Sequence, residues 1–301
     1  MSRTKGWLAK GALVFAILVG AGCDLNQQES VKIANQGVRA LNAGEIETAL
    51  GLLKRALRKN PKNANAANLM GQIYFHDLRN PEEAMKAFRV VLESHPDHLD
   101  THYQVGWLRF EENKIEEAQV HLKKCVVLDP DHGNCSYFLG KIEHGNADRA
   151  AADTLYRKAI RMEPRKVRSF LALADLYMEV GANEEAVQVL EEGIRLNPDS
   201  GAARMTLAQL LMNRGEPSRA AQFFLEAAQL APDEHELLFA VGAAYVQSQD
   251  KKSAQHYLSR YLASPRDGRK VQRPNEAVAE ILLENLRRGP RYVQPVSQQK
   301  E

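Results

Sequence analysis

Residues 164–198 read PRKVRSFLALADLYMEVGANEEAVQVLEEGIRLNP, two helical patterns between two prolines with Gly181 at the break. Proline has no N–H to donate and clashes with the turn before it, so Pro164 and Pro198 each stop a helix. The same punctuation recurs at Pro61, Pro96, Pro130, Pro164, Pro198, Pro232 and Pro265, at intervals of 35, 34, 34, 34, 34 and 33 residues. Three further series run in phase. Small residues occupy Gly37, Gly71, Gly106, Gly140, Ala174, Ala208 and Gly242. Alanine recurs at Ala49, Ala84, Ala118, Ala152, Ala186, Ala220 and Ala254, and a large apolar residue at Leu53, Phe88, Leu122, Tyr156, Leu190, Phe224 and Leu258. A fixed period of this length marks a repeat array, in which each repeat stacks on its neighbours to bury a face it cannot bury alone.

The order of these residues resembles the tetratricopeptide repeat: small residue, aromatic three places later, Ala, large apolar residue, Pro. Tyr74, Tyr177 and Tyr245 match the aromatic position, while Ala40, Arg109, Glu143 and Leu211 depart from it. The resemblance covers residues 30–266 and implies an all-α tetratricopeptide repeat solenoid of about seven helix-turn-helix repeats. Gly44, Gly181 and Gly215 stand where the turn between helices needs a residue tolerant of positive φ. The single interval of 35 is read as one extra residue in the turn at Asn80-Pro81. A capping helix is expected over 274–288, where NEAVAEILLENLRR would turn Ala277, Ile281, Leu282 and Leu286 toward the last repeat. The Pro- and Gln-containing stretch 289–301 is expected to be a flexible tail.

Ahead of the repeats, Arg3, Lys5 and Lys10 precede an uncharged run, Gly11–Gly22, too short for a comfortable membrane span. Residues 1–22 therefore read as a signal peptide. It ends in Gly20-Ala21-Gly22-Cys23, which resembles the bacterial lipobox. That resemblance makes Cys23 the lipidated first residue of the mature chain and 23–29 a short linker. Asp24 leaves inner and outer membrane open, with the outer favoured, and the chain is expected to face the periplasm of a bacterial envelope.

The whole chain of 301 residues carries 40 Lys+Arg against 38 Asp+Glu. Without Met1–Gly22 it has three fewer bases and no fewer acids, 37 against 38. No concentrated basic face argues for a nucleic-acid partner. Catalytic constellations are missing too. His235-Glu236 begins like a zinc-protease helix, but Phe239 stands where the second His is needed, and Gly140-Lys141 is followed by Ile142 rather than a hydroxyl residue. The expectation is no enzyme, no cofactor and no metal. His95, His98, His102, His121 and His132 do cluster around the second and third repeats, with ligand types a metal would accept. They read more simply as polar turn and groove residues. Cys125 and Cys135 are the thiols left beside Cys23. In an exported chain they are either a disulfide or two buried free thiols, and the spacing leaves both open.

In the tetratricopeptide family the first helix of each repeat lines the concave surface. That places Asn65, Asn68, Gln72 and Phe75 of repeat two there, with Tyr103, Trp107 and Phe110 of repeat three and Tyr137 of repeat four. Aromatic rings interleaved with amides suit a peptide, the rings giving buried area and the amides bonding its backbone. Met178, Met205, Met212 and Phe239 extend a softer stripe. Asn68 and Tyr103, with Ala34, do not reproduce the Lys/Asn/Arg clamp by which family members hold acidic chaperone tails. Lipid anchor and repeats together resemble the pilotin lipoproteins of type IV pilus systems. Those proteins bind a secretin and help it assemble in the outer membrane without doing chemistry. The alternatives are a scaffold lipoprotein of an exopolysaccharide exporter or of peptidoglycan remodelling, and an envelope enzyme or metal module built on the histidines.

Overall fold

The computed structural model describes residues 25–264 and 274–288, and every element among them is helical. The leader 1–22, Cys23, Asp24, Pro265 and the tail 289–301 lie outside the described residues. Fourteen helices follow one another as seven helix-turn-helix repeats. They are α1 (Leu25–Asn42), α2 (Ile46–Lys59), α3 (Ala64–Gln72), α4 (Pro81–Ser94), α5 (Leu99–Glu111), α6 (Ile115–Leu128), α7 (Gly133–Gly145), α8 (Arg149–Met162), α9 (Val167–Glu179), α10 (Asn183–Leu196), α11 (Gly201–Asn213), α12 (Pro217–Leu230), α13 (Glu236–Gln247) and α14 (Lys251–Ala263). A final helix, α15 (Glu276–Arg288), packs on α14. The chain divides into two compact units, one up to Ile142 and one from Glu143 on. Leu25–Glu29, read above as linker, are the first turns of α1. No helix among the described residues is long and apolar enough to cross a membrane.

The phased series have direct packing roles. In the first unit a Cβ added at Gly71 would lie 2.5 Å from Phe88 Cε1, and one added at Gly106 would lie 2.7 Å from Leu122 Cγ. The missing side chain is what lets the two helices of each repeat touch, and the large residue fills the contact. Phe88 and Leu122 are fully buried, each contributing about 1.5–3 kcal/mol of apolar transfer. The second unit repeats the device, with Gly242 set against Leu258 at 2.7 Å.

Each turn holds one residue in the left-handed region: Gly44, Arg79, Asn113, Ala147, Gly181, Gly215 and Gln249. Four of the seven are not glycine, and beyond Asn113, which tolerates this region, Arg79, Ala147 and Gln249 are held there by the packed helices at a cost. This series also corrects the reading of the 35-residue interval. Gly71 to Arg79 is eight residues, where Gly37 to Gly44 and Gly106 to Asn113 are seven. The extra residue therefore lies before the turn, not in Asn80-Pro81. It is absorbed where α3 widens into a π-helical turn over Ile73–Asp77, with Leu78 N–H bonded to Ile73 O at 3.1 Å.

The capping helix packs through Leu282 and Leu286 as expected, but not through Ala277 and Ile281. Ala279 and Leu283 are buried against Leu258 and Tyr261, with Leu282 and Leu286 beside them, while Ile281 is 60% exposed and Ala277 faces solvent. Polar bonds tie the start of this helix to the last repeat. Tyr261 O–H donates to Glu236 Oε1 at 2.7 Å, and Asn275 Nδ2 donates to Glu236 Oε2 at 2.8 Å.

Candidate docking groove

Within the first unit the residues singled out from sequence meet on the first helices of three successive repeats, α3, α5 and α7. Phe75 packs edge-on against Trp107 with ring centroids 5.2 Å apart, and Trp107 lies 5.7 Å from Phe138. Phe110 and Tyr137 flank Phe138 at 5.4 and 5.1 Å, and Tyr103 lies 5.8 Å from Trp107. The result is a ladder of rings crossing three repeats, its members meeting in tilted and edge-to-face pairs.

These residues divide into rails and supports. Asn65 is exposed, and Gln72, Trp107, Phe110 and Tyr137 are half-buried, so each presents surface. Asn68, Phe75 and Tyr103 were expected on the groove but are 8%, 8% and 7% exposed. Asn68 Oδ1 accepts from Thr101 Oγ1 at 3.1 Å, so its side chain ties α3 to α5. Helical periodicity tells which face a residue takes, not how far the neighbouring repeat reaches over it. The π turn matters for the same reason: it brings Phe75 and His76 beside Trp107, with the His76 ring 4.9 Å from the indole.

Sequence reading missed Phe138, His76 and Gln104. His76 Nε2 and Gln104 Oε1 are 3.0 Å apart. Burial pushes the His76 imidazole below its ordinary pKa, against the opposing effect of Gln104. Phe138 stands next to Tyr137 on the helix and so takes a different face, buried where Tyr137 is half-buried. The polar edge comes from Glu111, whose Oε1 accepts the Trp107 indole N–H at 3.2 Å, and from Lys141, 5.9 Å over the Phe110 ring. The arrangement offers apolar rings bordered by a carboxylate, an ammonium and amides. It can bury side chains of a peptide and bond its backbone, and it holds no nucleophile with an adjacent base.

The histidines have structural roles. His98 Nδ1 accepts Thr101 N–H at 3.3 Å and His132 Nδ1 accepts Cys135 N–H at 3.2 Å, so each caps the helix that follows. His102 has both ring nitrogens engaged, with Pro96 O at 2.7 Å and His121 Nδ1 at 3.0 Å. His98 and His102 therefore do not converge on a cation. Cys125 and Cys135 are joined by a disulfide, their Cα atoms 6.4 Å apart. In the second unit, Met178 and Met212 pack partly into the core, Met205 is exposed, and Phe239 lies 5.6 Å from Tyr261.

The tetratricopeptide repeat pattern matches residues 35–98, 139–200 and 171–235, and a second form of it matches 99–132. The chain belongs to the tetratricopeptide repeat family, and the class of molecule this defines is a protein–protein interaction scaffold. Human Superkiller complex protein 3 is 28% identical over 155 residues, 50% of this chain and 10% of that protein. The chain thus spans a small part of the length of the curated relatives it matches. A tetratricopeptide repeat protein from Parabacteroides merdae has a similar structure, with a TM-score of 0.59 and 18% identity over 87% of this chain and all of that one. The pilF protein of Pseudomonas aeruginosa does too, with a TM-score of 0.59 and 19% identity over 75% of this chain and 99% of that one.

Proposed function

We propose that this chain is a non-enzymatic, lipid-anchored docking protein of a bacterial envelope that assists assembly of the secretin of type IV pili. The observation that carries the docking role is the half-exposed ladder of Trp107, Phe110 and Tyr137 across consecutive repeats, supported from beneath by Phe75, Tyr103 and Phe138. Rings held by their neighbours lose little freedom on binding, which is how a few aromatic anchors come to dominate an interface.

Two further points support the particular partner. The leader ends in the lipobox-like Gly20-Ala21-Gly22-Cys23, and a diacylated Cys23 would hold the repeats at a bilayer surface. The fold is shared with the pilF protein of Pseudomonas aeruginosa. Cys23 supplies the anchor, and the groove receives a segment of the secretin as it reaches the outer membrane.

The test is the amount of multimeric secretin in outer-membrane fractions of cells lacking the gene, restored with wild type or with Cys23→Ala. Restoration by wild type alone supports the reading. Unchanged secretin multimers in the deletion strain refute it, and a polysaccharide-export or wall-remodelling defect in that strain would keep the scaffold and replace the partner.

A further inference from the structure

Among the described residues one group of three side chains brings metal-ligating atoms together. A sulfur from Cys125, a sulfur from Cys135 and a ring nitrogen of His132 all lie within 4.8 Å of one another. Both cysteines are fully buried and His132 is half-buried. The docking groove does not use this cluster as a ligand set, and the four other histidines of the sequence cluster do not contribute to it.

We propose that the reduced form of this cluster is a cation site, with Cys125, Cys135 and His132 binding a borderline-soft divalent metal of the zinc type. Two thiolates and an imidazole are the donors such an ion prefers, and three protein ligands leave the fourth tetrahedral position open to water. Metal–sulfur bonds of about 2.3 Å place two thiolate sulfurs roughly 3.8 Å apart in a tetrahedral site. The Cα atoms, 6.4 Å apart, allow that separation by rotation of the two side chains once the disulfide is broken.

The histidine is already prepared. Its Nδ1 accepts the Cys135 N–H at 3.2 Å, so in the neutral ring the proton is on Nε2 and the lone pair is on Nδ1, beside the cysteine. The metal takes that lone pair in place of the N–H, and one capping hydrogen bond is exchanged for a metal–nitrogen bond. The Tyr103 ring stands 5.1 Å from the His132 ring, so the site lies directly behind a support of the groove.

The steps balance. A dithiol reductant gives two electrons and two protons to the Cys125–Cys135 bond, becomes a disulfide itself, and leaves two thiols. Binding of the cation then releases both thiol protons to solvent as two sulfur–metal bonds form. In the oxidised chain the site is closed by the sulfur–sulfur bond.

The experiment uses the full chain in detergent, reduced anaerobically with a small dithiol that is then removed, and titrated with Co2+ followed by Zn2+. The expected result is one Co2+ per chain, with a thiolate-to-cobalt charge-transfer band that Zn2+ abolishes. The oxidised chain and Cys125→Ser should give no such band. His132→Asn keeps a capping acceptor and removes the imidazole. Its metal-free melting curve should match wild type, while its affinity should fall by more than the roughly 10–100-fold that even outer partners of a ligand provide. A reduced wild-type chain without the band overturns the proposal. So does a His132→Asn chain that binds cobalt as tightly as wild type, which would leave two cysteines and no site built around the histidine.

Discussion

Two glycine-to-alanine substitutions in the first unit should move stability in opposite directions. Gly51 lies in α2 with no heavy atom within 4 Å of an added Cβ, and it is exposed. Alanine there removes the backbone entropy cost of a helical glycine and should stabilise by about 0.5–1 kcal/mol. Gly106 lies in α5, where the same methyl group would meet Leu122 Cγ at 2.7 Å and Leu122 N at 3.3 Å. Those atoms are a branch point and backbone rather than the end of a flexible side chain, so α6 itself has to shift. A clash with a branch point and backbone puts the overpacking cost in the upper part of its range, about 2–3 kcal/mol, and the helix-propensity gain of up to about 1 kcal/mol offsets only part of it. The net expectation for Gly106→Ala is a loss of about 1–2 kcal/mol, a few degrees in melting midpoint for a chain of this size. Urea unfolding of the three proteins, with amide exchange to locate the change, is the assay. Faster exchange should concentrate in α5 and α6 for Gly106→Ala. If that variant is as stable as wild type or more so, close helix contact is not what the small-residue series secures.

Three other substitutions probe separate features. Ala147 is exposed and holds a φ of 62°, so Ala147→Gly should gain about 0.5–1 kcal/mol by relieving left-handed strain, and a lower urea midpoint would contradict that. Asn63 caps α3 through Ala66 N–H at 3.0 Å and donates to the buried Ser30 Oγ at 2.8 Å, so Asn63→Ala should cost about 1–3 kcal/mol in the same assay, and less than half of that would discount the network. His121 is pushed down to about 4, first by burial and then by the neighbouring His102 and Arg109, with Glu117 opposing. The unfolded chain therefore binds a proton that the folded chain refuses. Stability should be full above pH 6.5 and should fall as pH drops toward 4, by on the order of 1–2 kcal/mol from this residue once solvent screening of its half-buried ring is counted. His121→Gln should flatten that part of the stability–pH curve, and an unchanged slope would place the titration elsewhere.

The phased prolines, glycines and alanines made the repeat architecture legible because each has a local cause: a stopped helix, a close approach, a filled gap. What the sequence hid depends on neighbours. The interval from Gly71 to Ala84 is one residue longer than in the other repeats, but only the left-handed Arg79 shows that the residue sits in the π turn before it. Asn68, Phe75 and Tyr103 share a face with the exposed groove residues and are buried because the next repeat covers them. His98 and His132 look like ligands in a string of histidines, yet they occupy the capping position that Asn63 holds one and two repeats earlier. A phase-aligned comparison with Asn63 and Ser200 carried that signal. In α15 the packed face centres on Ala279 and Leu283 and shares only Leu282 and Leu286 with the stripe expected.

Under the proposed function, the ring ladder of the first unit is where a secretin docks. The direct measurement is recovery of the secretin by the full chain from crosslinked envelopes, comparing wild type with a Trp107→Ala, Tyr137→Ala variant. Val127→Ala, on the exposed side of α6, serves as the control, and melting curves establish that all three are folded. Two aromatic anchors worth more than about 1 kcal/mol each predict a loss of more than roughly 30-fold with the double variant and none with the control. Equal recovery of the secretin by all three proteins would contradict docking on these rings.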